Sequence, residues 1–324
     1  MYFFCTYFDK NYLPQGIALF NSLKKHSDDF TLLVLCLDNE TFNITSKLGR
    51  THQELKAIPL LKLENWDKDL LIAKRNRSVI EYYFTLSPIL PLYILDNFGD
   101  VDIVTYLDAD LLFYSNPKKI YDELGDASIL IVEHRFADPL KHLIKYGRFN
   151  VQYQSIRRDE QGMRCLNRWR EQCLEWCYDY LEDGRYADQK YLDDWPDRYD
   201  QLVVSHQKGV GVAPWNIGGY KLGLNKQKFF VDDEKLIFYH FQGLKKMHGR
   251  LYATNLSECR VSHFKKNLVA LYYDYLTKLN EASLLLGDYG YTVITSDIRH
   301  KISYMYFVKK FLFMNLILGP KEES

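Results

Sequence analysis

The sequence has no excess of either charge: Lys+Arg and Asp+Glu both number 42, for a formal net charge of zero. That argues against a nucleic-acid binder working through bulk electrostatics, although local patches are compatible with it. No C-x-x-C pair occurs among the six cysteines, Cys5, Cys36, Cys165, Cys173, Cys177 and Cys259, which are spread through apolar or helical segments. They read as reduced thiols of a cytosolic protein rather than a disulfide framework or zinc site. The N-terminal "MYFFCTYFDKNY" lacks a basic start and a small-residue cleavage site, so it reads as a first strand and not as a signal peptide. Internal repeats, low-complexity tracts and obvious linkers are also missing. So is a membrane-spanning run, which needs about 18 or more uninterrupted apolar residues. The nearest approach, "ISYMYFVKKFLFMNLILG", carries Lys309 and Lys310 in its middle. It is expected as a terminal helix packed on the domain. The alternative is a helix in a membrane interface, attractive if the substrate is lipid-linked.

What is present is ordinary globular material, 47% hydrophobic and 26% charged, with an unusual aromatic load of 26 Tyr and 19 Phe. Aromatic side chains fill cores and also stack on sugars and bases, and composition does not choose between these roles. The 324 residues suffice for one large α/β domain or two smaller ones.

The first half alternates strand-like and helix-like segments. "YFFCTYF", "FTLLVLCLD", "KAIPLLKL", "VDIVTYLD" and "ASILIVEH" read as strands, with helices in "LPQGIALFNSLKKH" and "ETFNITSKLG". Near-continuous apolar strands separated by helices predict a parallel sheet covered on both faces. "SVIEYYFTLSPILPLYILDNF" reads as a long helix that Pro88 and Pro91 should kink or break. In the second half, Cys165, Trp169, Cys173, Trp176 and Tyr180 recur at helical steps and predict a helix over 160–182. A turn at Asp183-Gly184, a short helix in "ADQKYLDDW", a hairpin into "KLIFYHFQG" and closing helices over 263–282 and 298–317 complete the expectation.

One stretch does not suit a core strand. In "IVTYLDADLLFYSNP" an apolar run passes straight into Asp108 and Asp110. Carboxylates are seldom buried unless paired or holding a cation. In an open parallel sheet the carboxyl ends of the strands are where ligands bind. Two carboxylates there can hold Mg²⁺ or Mn²⁺, hard cations that keep bonds to phosphates and water. The ordinary alternative is a pair of exposed aspartates capping a turn.

"VTYLDADLLFYSNP" resembles the D-x-D segment of GT-A glycosyltransferases, which bind a nucleotide-diphospho-sugar through a divalent metal. The resemblance continues in "FCTYFDKNYLPQGIALFNSLKKH", "GRFNVQYQSIRRDEQGMRCLNRWREQCLEWC", "DGRYADQKYLDDWP", "GVAPWNIGGY" and "FYHFQGLKK". Together, in this order, these look like a bacterial group related to glycosyltransferase family 8, commonly involved in lipopolysaccharide or other surface polysaccharides. The resemblance implies an α/β GT-A (Rossmann-like) fold, with a mostly parallel central sheet flanked by helices and a C-terminal helical extension. The implied boundaries are a glycosyltransferase domain over 1–260, its nucleotide-binding half ending near 115, and the extension over 261–324.

It also implies roles. His240, in an H-x-x-G-x-K arrangement, would join Asp108 and Asp110 on the metal. Gly243 would let the backbone approach the diphosphate, and Lys245 would neutralise it. Asp188 and Gln189 would lie beside the donor sugar as the catalytic pair, where an isolated reading gives Asp188 only an N-cap role. Asn150, Trp215 and Asn216 would line the donor-sugar and acceptor cleft. Of Arg75 and Arg77, Arg77 is preferred as the basic residue near the phosphates or the D-x-D carboxylates. Thr6 and Tyr7 would meet base and ribose. The chain departs from the family pattern after Asn150, where Gln152 and Tyr153 are bulky, so donor identity does not transfer.

The activity implied is glycosyl transfer from a nucleotide-sugar, expected to be UDP-linked, to a saccharide or lipid-linked saccharide, with a lean towards retention. The setting implied is cytoplasmic, at the inner membrane face if the tail makes peripheral contact. An inactive GT-A scaffold is the rival from another class. A nucleotidyltransferase would want a Gly-rich phosphate loop where this chain has "TYFDKNYLPQG".

Overall fold

The computed structural model describes residues 1–262, 265–292 and 316–320. The chain opens with β1 (Tyr2–Phe8), α1 (Leu13–His26), β2 (Phe30–Cys36), α2 (Asn39–Thr51) and β3 (Leu55–Pro59). Then come α3 (Leu60–Trp66), α4 (Leu70–Asn76), α5 (Val79–Asn97), β4 (Ile103–Leu107), β5 (Leu111–Phe113), α6 (Lys118–Leu124) and β6 (Ile129–Glu133). The second half holds β7 (Phe149–Arg157), α7 (Glu160–Glu175), α8 (Trp195–Arg198) and β8 (Leu202–Val204). It continues with the hairpin β9 (Leu222–Asn225) and β10 (Lys228–Val231), then β11 (Glu234–Lys235) and β12 (Phe238–His240). Last are β13 (Lys245–His248), β14 (Leu251–Ala253), α9 (Lys266–Gly287) and β15 (Leu316–Leu318).

Local chemistry sets the helix starts. Asp38 caps α2 by accepting the Thr41 N–H at 2.8 Å, and Asp159 caps α7 through the Gly162 N–H at 2.8 Å. Ser78 and Glu81 form a reciprocal capping box that starts α5. The helix is not broken by its prolines: it runs through Pro88 and Pro91 to Asn97. Each proline costs about 3 kcal/mol inside a helix. Leu86, Ile89, Leu90, Leu92 and Ile94 of α5 are nearly or fully buried, and each such side chain returns about 1.5–3 kcal/mol. Packing therefore outweighs the two breakers.

The central sheet has the order β3-β2-β1-β4-β7-β6-β8. Every neighbouring pair is parallel except those made by β7, which runs antiparallel to both β4 and β6. The sheet is mostly parallel, as expected, with β7 as its antiparallel member. Two apolar cores lie against it. One is built on Phe4, Leu32, Val34, α1 and α9, the other on Cys5, Leu33, Leu35, α5 and α7. Neighbouring β1 residues fall in opposite cores because side chains alternate across a strand.

α7 stops at Glu175, short of the predicted 182, and Trp176 turns to an extended conformation. Its indole Nε1 donates to Glu182 at 3.1 Å and its carbonyl accepts the Tyr191 hydroxyl at 2.7 Å. The Asp183-Gly184 turn forms as expected, both residues having positive φ. "KAIPLLKL" divides into the end of β3 and the start of α3 rather than one strand. α9 replaces the shorter 263–282 helix. The predicted 298–317 helix lies outside the described residues except at its end, where Leu316 and Ile317 belong to β15, paired with β14. Among the described residues, no helix is long and apolar enough to cross a membrane.

Candidate active site

Asp108 follows the last residue of β4, at the carboxyl edge of the sheet. The Asp108 N–H donates to the Gln152 carbonyl of β7 at 3.0 Å, fixing the start of the D-x-D turn. β5 follows at once and pairs with β12 in antiparallel register, His240 opposite Leu111. The Phe241 N–H donates to the Asp110 carbonyl at 3.1 Å. This pairing carries His240 to the aspartates. Its Nε2 lies 3.0 Å from Asp110 Oδ1 and 3.7 Å from Asp108 Oδ2. One ligand atom from each of the three falls within 4.8 Å of the others.

The electrostatics fit a cation. Burial, joined by the Asp110 charge and opposed by His240, pushes Asp108 up to about 6. Burial opposes a charged His240, but the Asp110 and Asp108 carboxylates outweigh it and raise its pKa. Two carboxylates and an imidazole at this spacing are an oxygen- and nitrogen-donor set suited to Mg²⁺ or Mn²⁺. His240 Nδ1 is buried without a hydrogen-bond partner among the described residues. The imidazole is held instead by Trp215, whose ring meets it edge-on at 5.3 Å.

The cluster opens into a cleft of about 750 Å³. Of the sequence-predicted residues, Tyr7, Asp108, Asp110, Asn150, Asp188, Gln189, Trp215 and His240 line it. Asp188 precedes a 3₁₀ turn over Gln189–Asp194 and makes no side-chain cap bond. The turn is fixed from behind, where Trp169 Nε1 donates to the Asp188 carbonyl at 2.9 Å. Burial pushes the Asp188 carboxyl up to about 7, with a Ser87 hydrogen bond opposing and Asp108 adding. Gln189 donates Nε2 to the Tyr146 carbonyl at 3.0 Å, which leaves its amide oxygen for the cleft. Asn150 bonds His134 Nε2 through Nδ2 at 2.8 Å. Burial drives the His134 imidazole down to about 3, so it is neutral.

Five predicted residues are placed elsewhere. Arg77 donates to Thr85 Oγ1 and, at 2.7 Å, to the Leu174 carbonyl, and lies over the Tyr178 ring. It ties α5 to the end of α7 and is not part of the cleft lining, because the Leu174 carbonyl and Thr85 are its partners. Asn216 is fully buried, its amide spent on Ala213 N–H and on the His134 and Gly211 carbonyls at 2.8–2.9 Å. It shapes the loop that presents Trp215. Thr6 is fully buried in β1, its hydroxyl without a partner among the described residues. Lys245 is exposed on β13 and outside the cleft lining. Gly243 is needed for its backbone: φ is +78°, and a Cβ would meet the Asn255 side chain at 2.8 Å.

Several contributors escape the sequence reading. Tyr106 donates its hydroxyl to Asp108 Oδ1 at 3.0 Å, a residue two places before the motif. Ser87, buried in α5, meets the Tyr7 hydroxyl at 3.1 Å and supports Asp188. Tyr12 lines the cleft close enough to the D-x-D carboxylates that burial and their charge push it up to about 12. His134 gives its carbonyl to Trp215 Nε1 at 3.0 Å as well as to Asn216. No local pattern marks Ser87, Tyr12 or His134, which act through partners distant in sequence or through the backbone, and Tyr106, although two residues from Asp108, reads as one more apolar strand residue.

No protein-family model matches the chain. Two proteins of Bacillus subtilis (strain 168), both uncharacterized, are similar along most of it. YfnF is 32% identical over 252 residues, covering 75% of this chain and 81% of its own. YfnD is 30% identical over 243 residues, covering 74% and 77%. Among solved structures, galactosyltransferase LgtC in complex with donor and acceptor sugar analogs superposes with a TM-score of 0.51 at 15% identity, over 93% of this chain and 100% of LgtC. An active-site mutant of LgtC gives 0.51 at 14% identity over the same shares. These likenesses and the mixed seven-stranded sheet establish the fold as that of the GT-A glycosyltransferases. The chain belongs to the family of YfnF and YfnD.

Proposed function

We propose that the chain is a metal-dependent glycosyltransferase, related to glycosyltransferase family 8, that moves a sugar from a UDP-sugar to a saccharide or lipid-linked saccharide. The setting we assign is cytoplasmic assembly of bacterial surface polysaccharide, with acceptors presented at the membrane. The observation that carries this reading is the cluster of Asp108, Asp110 and His240 in one cleft with Asp188 and Gln189.

Asp108, Asp110 and His240 would hold Mn²⁺ or Mg²⁺, which supplies Lewis-acid stabilisation of a diphosphate leaving group. Tyr106 orients Asp108, and Trp215 packs on His240, so the ligands are fixed before anything binds. Tyr7, Tyr83 and Tyr12 give one flank of the cleft aromatic surface for a base and ribose. Asp188 faces the sugar-binding region and orients hydroxyls. The Gln189 amide oxygen supports positive charge developing at the reacting carbon. Other carboxylates in the lining are Asp9, Asp108 and Asp110. Asp9 is committed to Asn11, at 2.9 and 3.0 Å. Among the described residues lining the cleft no spare carboxylate is left as a base on the acceptor side, which favours retention over inversion.

Calorimetric binding of UDP with and without Mn²⁺, repeated on Asp110→Asn with GDP and CMP as controls, tests the reading. Metal-dependent UDP binding abolished by the substitution supports it. Binding that ignores both metal and Asp110 overturns it, and metal-dependent binding without turnover of any UDP-sugar would favour a scaffold.

A further inference from the structure

Away from the cleft, α7 and α8 enclose a hollow of about 310 Å³ lined by Arg164, Arg168, Arg198 and Tyr199. No carboxylate belongs to this lining, and none of its residues lines the cleft. Arg164 and Arg168 stand one turn apart on α7, an arrangement of like charges that is destabilising by itself. Arg198 brings a third guanidinium from α8.

The available counter-charge is Asp194, and it is shared. A single oxygen, Oδ2, accepts Arg168 Nη2 at 3.0 Å and Arg198 Nε and Nη2 at 3.1 and 2.9 Å. Arg168 sends Nη1 to Gln172 at 2.9 Å. Arg164 has no ion pair or hydrogen bond among the described residues; its guanidinium lies 5.6 Å over the Tyr199 ring. Among the described residues one carboxylate, Asp194, is ion-paired with two of these guanidiniums and none with Arg164, so the lining itself presents three positive charges and no negative one. All three cations are arginines, whose planar forks match tetrahedral oxyanions in a way lysine does not.

We propose that this hollow is a second binding site, separate from the metal cleft, for a phosphate oxyanion. It takes the ligand as free phosphate or as the phosphate of a monoester, through guanidinium hydrogen bonds and without a metal. Its place in the fold is close to the catalytic turn. Asp194 is the last residue of the 3₁₀ turn that follows Asp188, and Trp169, next to Arg168, holds the Asp188 carbonyl. A phosphate drawing Arg168 and Arg198 away from Asp194 therefore acts on the segment that presents Asp188 and Gln189.

The full chain is titrated calorimetrically with inorganic phosphate, and in a second arm with glycerol 3-phosphate, at constant ionic strength and with EDTA present to keep cations from the cleft. Saturable binding is expected, weakened about tenfold or more in Arg164→Gln, since a charge-assisted contact is lost. Arg164 is exposed and breaks no ion pair, so that variant should fold normally. Arg164→Lys should recover part of the affinity, and Asp110→Asn should bind as the wild type does. Glycerol 3-phosphate binding as tightly as phosphate identifies esterified phosphate as a ligand; phosphate binding alone identifies the free ion. The proposal is overturned by heat that follows ionic strength without saturating, by binding that Arg164→Gln leaves intact, or by binding that Asp110→Asn abolishes.

Discussion

His240 Nε2 stands 3.0 Å from Asp110 Oδ1, although 130 residues separate the two in the sequence. The contact exists because β12 pairs with β5 in the one register that sets His240 beside the D-x-D turn. A slip of one residue would turn the imidazole to the other face. The metal site is thus a product of strand pairing as much as of its three ligands.

His240→Ala should therefore weaken Mn²⁺ binding about a hundredfold, while Trp215→Leu, which only loosens the imidazole, should cost about tenfold. Calorimetry with Mn²⁺ alone on both variants checks this. Equal losses would mean that Trp215 acts on the site by some route other than His240.

Arg77 was expected at the phosphates and instead joins α5 to the Leu174 carbonyl at the end of α7. Arg77→Ala should destabilise the protein by about 2 kcal/mol, the scale of a lost hydrogen bond to a charged group. Mn²⁺ affinity should stay within twofold of wild type (about 0.4 kcal/mol). Urea unfolding and metal calorimetry on the same preparation separate the roles. A large loss of metal-dependent nucleotide binding at unchanged stability would return Arg77 to the cleft.

The contrast between Arg77 and Asp108 shows what can be read from a sequence of this kind. Asp108 and Asp110 are legible because a polar pair interrupts an apolar strand, a local event with few explanations. Arg77 is not, because its partner is a backbone carbonyl supplied by where α7 happens to stop. The stopping point was itself hidden: the helical spacing of apolar residues continues through Trp176 and Tyr180, and only the tertiary bonds of Trp176 pull the chain away. β7 was missed as an antiparallel strand since its buried face includes Gln152 and Gln154, which a strand pattern reads as polar and exposed. His240 was reachable only through family resemblance, there being no local signal for a pairing between β5 and β12.

Asn216 illustrates a residue near the site whose effect should be on folding. Its amide holds three buried backbone groups and is fully enclosed. Asn216→Ala should cost about 3 kcal/mol at roughly 1 kcal/mol per bond. Chemical denaturation gives the value, and a loss below about 1 kcal/mol would show that water replaces the amide.

Asp188 gives a pH dependence with a defined sign. Its folded pKa is raised from the ordinary 3.8 of an aspartate to about 7, mainly by burial. Between these values the native state holds a proton that the unfolded state has released, so stability falls as pH rises through this window. Above pH 7 the accumulated cost is about 4 kcal/mol, at 1.36 kcal/mol per unit. His134, held at about 3 by burial, slopes the other way between that value and its ordinary 6.5. It does so equally in any Asp188 variant and cancels in a difference. Asp188→Asn removes the titration while keeping the shape. The variant's stability advantage over wild type should therefore be near zero at pH 4, grow up to pH 7, and then level off. Melting both proteins in EDTA across that range tests it, and a difference that does not change with pH would mean Asp188 is ionised in the folded state throughout.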